Sequence, residues 1–79
     1  MTFNEKEFND FIDKMKVAIE EHKEVYGNSW ETTDKAFLRQ RVFAKHNEYK
    51  LTGQPRKLVS LANLVMMLYV REKNGDIND

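Results

Sequence analysis

Between Leu61 and Val70 the chain reads LANLVMMLYV, and only Asn63 breaks its apolar character. Pro55 stands where a helix would open, because its missing N–H would be orphaned there in any case. Asn74-Gly75 stands where it would close, with Arg71 and Lys73 at the negative end of the helix dipole. The stretch therefore predicts a helix over about 55–74 that is hydrophobic on every side and needs apolar cover on every side. Ser60 and Asn63 leave it too short and too interrupted to cross a bilayer. The chain has 79 residues, one domain near the lower limit for a self-sufficient core. With no cysteine, neither a disulfide nor a thiolate zinc site can staple it. Two other short helices cannot enclose such a segment, so a second copy of the protein is expected to supply the missing cover.

The rest of the chain is also helical in pattern. Phe8, Phe11, Ile12, Met15, Ala18, Ile19, His22, Val25 and Tyr26 follow the three-four spacing of one buried stripe. That spacing predicts a helix over 4–26, capped by Asn4 and ended by Gly27-Asn28. A second helix is expected over 33–51, with Thr32 or Thr33 as N-cap and Asp34 near the positive end of its dipole. Its apolar residues fall on several sides, as for a helix with several neighbours. The expected fold is all-α: a single domain over 1–79, with three helices at about 4–26, 33–51 and 55–74 in an intertwined helical-bundle homodimer. Residues 75–79 are expected to fray. The charged N-terminus carries no apolar signal segment, and together with the lack of a membrane span this predicts a soluble, cytoplasmic protein.

Net charge is zero but unevenly placed. Residues 1–34 hold nine acidic and four basic side chains, whereas 35–73 hold nine basic and two acidic ones. Such asymmetry marks either an anion-binding face or acidic and basic helices that complement one another. Within the acidic part, Glu20, Glu21 and Glu24 are spaced to share a hard cation such as Mg²⁺ through oxygen ligands, or to form a solvated face with Lys16 and Lys23. Glu21 sits closest to the apolar stripe and is expected to be half-buried. Within the basic part, Arg41 and Lys45 are one turn apart and able to grip phosphate oxygens. Nucleic-acid binding is a rival use for the same charges, although no base-reading motif is present. Asn63 must find a partner for a buried amide, either in a ligand or across a helix interface. His22 and His46 have no histidine or cysteine partner at metal spacing. Gly-rich phosphate loops and Ser/His/Asp sets are lacking as well.

The order of HKEVYGNSW, Arg41, Lys45-x-Asn47 and LVSLANLVMML resembles the nucleotide-modification-associated helical domains of phages. These are similar in turn to MazG-like all-α nucleotide pyrophosphohydrolases. The resemblance spans roughly residues 18–72. It implies an oligomeric bundle, dimeric or tetrameric, with a nucleotide-phosphate site between helices and carboxylate-bound Mg²⁺ that activates water. Arg41, Lys45 and Asn63 match its basic and amide positions. Val25, Ala44 and Ser60-Leu61 stand where such domains usually carry acids, and Arg56-Lys57 fill a region where acids are usual. Those departures imply a retained fold with weak or lost hydrolysis. The alternative is an active Mg-dependent enzyme, with Glu21 as the candidate catalytic acid beside Glu20 and Glu24. A third possibility is a non-catalytic viral or mobile-element protein that contacts a host protein or nucleic acid. Trp30, the only tryptophan, sits in the polar turn after the first helix. It either packs that turn onto the bundle or stacks on a nucleotide base.

Overall fold

The computed structural model describes residues 4–75 and contains three α-helices and a short 3-10 turn. Helix α1 spans Glu5–Tyr26, the turn Ser29–Glu31, helix α2 Lys35–Thr52 and helix α3 Pro55–Lys73. Among the described residues there is no strand. Each helix starts and stops for a local reason. The Asn4 side chain accepts from the Glu7 N–H at 3.1 Å and caps α1, while Glu5 and Glu7 occupy its first turn. Gly27 ends α1 with φ 65° and ψ −147°, a region open only to glycine, and its N–H returns to the Lys23 carbonyl at 2.8 Å. Pro55 opens α3 as its spacing implied.

The start of α2 differs from expectation. Asp34, not Thr32 or Thr33, is the cap, and its carboxylate accepts from the Ala36 N–H at 2.9 Å. The reason is that both threonines are engaged elsewhere. The Thr32 hydroxyl donates to the Ser29 carbonyl at 3.4 Å, and the Thr33 carbonyl is held by Arg71. The helix therefore begins at Lys35 rather than 33, and α2 and α3 end within a residue of their expected limits. For the expected 75–79 tail, Gly75 lies in a turn and the remainder falls outside the described residues.

Helix α3 is the central element and packs against α1, α2 and the 3-10 turn. It runs antiparallel to α2. Near one end Lys35 and Arg39 of α2 reach Glu72, and near the other Glu48 reaches Lys57. It runs alongside α1 in the same direction. Asn63 meets the Met15 carbonyl, and further along Arg71 meets the segment that follows α1. Two apolar side chains of the described residues are buried, Leu38 at 3% exposure and Met67 at 4%. Much of the remaining apolar surface, including Val65 and Tyr69 of α3, stays open in the single chain. No helix among the described residues is long and apolar enough to cross a membrane.

Candidate functional site

Arg41, Lys45 and Glu48 share one side of α2 by helical spacing. Arg41 and Lys45 are partly buried there. The Lys45 ammonium lies 3.0 Å from one oxygen of Glu48, and the Lys57 ammonium, arriving from α3, lies 3.2 Å from the other. Hydrogen bonds from Lys45 and then Lys57 hold the Glu48 carboxyl below its usual range. The α2–α3 packing thus brings two ammoniums to one small anion, with a guanidinium a turn away. Two ammoniums meet a single carboxylate, so the cluster carries surplus positive charge even before Arg41, one turn from Lys45, is counted. Glu48 spans the two ammoniums much as a phosphate oxygen pair would.

The other candidate residues lie apart from this cluster. Asn63 is 5% exposed and points its amide toward α1, where Nδ2 donates to the Met15 carbonyl at 3.1 Å. Its Oδ1 is buried without a partner. Trp30 is partly buried in the 3-10 turn, and its carbonyl accepts from Arg71 at 2.9 Å. Arg71 also donates to the Thr33 carbonyl at 2.5 Å. Lys57 and Arg71 are separated by about 21 Å of α3 axis, so the Trp30 turn and the Lys45–Lys57 cluster occupy opposite ends of the molecule.

Glu20, Glu21 and Glu24 project from α1 and are exposed. Glu21 is therefore not half-buried as its spacing suggested, because α1 rests on α3 along the side that holds Met15. Among the described residues no group of three or more His, Asp or Glu side chains is placed to hold a metal ion. These three carboxylates do not fit a Mg²⁺ centre as they stand, and no chemical step is assigned to one. Glu21 instead joins Glu7, Asp10 and Asp13 along an open groove of about 910 Å³ between α1 and the start of α3. Phe11, Val17, Leu58 and Val59 contribute apolar surface to it, and Arg56 and Lys57 line its α3 side. Arg41, Lys45, Trp30 and Asn63 are not among its lining residues. His22 stacks on Tyr26 with ring centroids 4.8 Å apart, and His46 is exposed.

Three residues with central roles escape a reading of the sequence. Lys35 is 6% exposed and pairs with Glu72 at 3.3 Å, and Arg39 reaches the other oxygen of that carboxylate at 2.8 Å. Hydrogen bonds from Arg39 and then Lys35 hold Glu72 below the usual carboxylate range. Arg71 is the third, as the clasp on the 3-10 turn. Their only sequence signal is charge at the start of α2 and the end of α3, where helix dipoles already account for Arg71. No protein-family model, curated protein or solved structure matches the chain. What the site does therefore rests on its own geometry.

Proposed function

We propose that the protein is a helical homodimer that binds a nucleotide or another phosphorylated ligand and hydrolyses it weakly or not at all. The observation that carries this reading is the convergence of Lys45 and Lys57 on the two oxygens of Glu48, with Arg41 a turn away. A phosphate group arriving there meets cations already positioned by helix packing, so little side-chain ordering remains to oppose binding. The likeness to MazG-like domains supports the same assignment for Arg41 and Lys45. The acids missing at Val25, Ala44 and Ser60 support the loss of turnover.

Isothermal titration with dATP, dGTP, dCTP and dUTP, with and without Mg²⁺, tests the proposal when pyrophosphate release is followed on the same samples. Binding without release is expected. Lys45→Gln or Lys57→Gln should weaken it about tenfold, the loss of one charge-assisted contact. Glu48→Gln should tighten it, because the resident carboxylate competes with the incoming phosphate. No binding of any nucleotide would overturn the reading. Mg²⁺-dependent release abolished by Glu21→Gln would make the protein an active pyrophosphohydrolase instead.

A further inference from the structure

From Leu58 to Val70 helix α3 carries no charged residue. Part of this stretch is buried through Asn63 and Met67, while Leu58, at the edge of the α1–α3 groove, Val65 and Tyr69 stay open to solvent. Val65 is 49% exposed and Tyr69 64%. With Ala62 they follow a four-three-four spacing and form one stripe along the helix. Charge returns only beyond its ends, first at Lys57 and Arg71. An apolar centre with a charged rim is the anatomy of a protein interface, whereas the exposed sides of α1 and α2 alternate charges with apolar residues.

The amount of open surface indicates what covers the stripe. The chain exposes 6289 Å². A compact monomer of 9.4 kDa should expose about 5000 Å². The excess of about 1300 Å² exceeds the roughly 800 Å² that each partner buries in a standard interface. Among the described residues two buried apolar side chains make a small core for a chain of this length, and a partner present whenever the protein folds would supply the further cover.

We infer that the Leu58–Ala62–Val65–Tyr69 stripe is the face on which a second copy of this chain docks, with the two α3 helices antiparallel about a two-fold axis. The inference rests on the homodimer reading above and names its interface. In this arrangement Leu58 meets the partner subunit's Tyr69, and Ala62 meets the partner subunit's Val65. The small Ala62 lets the helices approach closely at the axis, and opposed helix dipoles favour the antiparallel sense.

Cysteine crosslinking tests this cleanly, since the wild-type chain has no cysteine. Under mild oxidation, Leu58→Cys and Tyr69→Cys proteins should each stay monomeric on a denaturing gel, while their mixture should give a covalent dimer. Sedimentation velocity supplies the second readout. Val65→Glu should raise the dimer dissociation constant at least tenfold, as expected for a charge placed at an interface centre, while Phe43→Glu on exposed α2 should not. Crosslinks in the Leu58→Cys or Tyr69→Cys protein alone would overturn the antiparallel pairing. A wild-type dimer that resists Val65→Glu and forms no mixed crosslink would overturn the face and leave the homodimer standing. A monomeric wild type over the whole concentration range would overturn both.

Discussion

Asn63 places a polar amide at the centre of the α1–α3 contact and satisfies only half of it. Nδ2 donates to the Met15 carbonyl, whose peptide group belongs to the middle of α1, and Oδ1 has no partner. Replacing the whole amide with a similar apolar shape removes one bond and one unsatisfied acceptor together. Asn63→Leu should therefore shift stability by no more than about 1 kcal/mol in urea unfolding. Asn63→Asp removes the donor and sets a carboxylate against a carbonyl, at a cost of about 3 kcal/mol at neutral pH. That cost should shrink on acidification, because a protonated carboxyl can again donate to Met15. Glu48 and Glu72 give the wild type the opposite pH response. Both are held below the ordinary carboxylate range by bonds made only in the fold. Groups of this kind stabilise above their unfolded pKa, and the contribution is lost as pH falls through the folded one. The urea midpoint should thus be level near neutrality and decline below about pH 4.5, with Glu72→Gln flattening part of that decline. Added salt should blunt the effect, since both carboxylates are open to solvent.

Each helix is written locally, but the way the helices are fastened is not. Asn4, Gly27 and Pro55 mark three boundaries through backbone requirements that a sequence displays directly. Thr32, Thr33 and Asp34 are all competent N-caps, and a local bond from Thr32 to Ser29 together with the tertiary hold of Arg71 on the Thr33 carbonyl leaves the role to Asp34. Lys35 reads as a surface residue until Glu72, far along the chain, is seen beside it. The candidate site is legible to the same extent. The pairing of Arg41 with Lys45 follows from helix spacing, but the meeting of Lys57 with Glu48 depends on α2 and α3 being antiparallel. Glu21 looked half-buried because spacing reports distance from an apolar stripe and not which neighbour covers it. The turn between α1 and α2 depends on a fastening of this tertiary kind, since one terminal nitrogen of Arg71 holds both the Trp30 and Thr33 carbonyls. Arg71→Met should cost about 2 kcal/mol, the usual worth of hydrogen bonds to a charged donor. Arg71→Lys should restore part of it, because an ammonium also donates to two acceptors. Trp30, the only tryptophan, gives the readout: its emission should move toward that of exposed indole in Arg71→Met before helical circular dichroism is lost.

At the scale of the whole molecule the single chain is loose for its length. Its radius of gyration is 13.7 Å, against about 11.6 Å for a compact domain of 79 residues. Its extents of 40 × 30 × 27 Å show the elongation directly. Fixing a backbone costs about 1–2 kcal/mol per residue, and the two buried apolar side chains among the described residues offset little of that cost. If a second copy supplies the missing burial, folding and association are one equilibrium and stability depends on protein concentration. The size of the effect follows from the unfolding enthalpy. At about 0.7 kcal/mol per residue near 60 °C, two chains of 79 residues unfold with roughly 110 kcal/mol. For a dimer melting to unfolded monomers, that enthalpy raises Tm by about 5 °C for each tenfold increase in concentration. Calorimetric or circular-dichroism melts over two decades of concentration should therefore span about 10 °C. A monomer that folds alone would melt at one temperature throughout, and its stability would then have to come from the single chain's own contacts.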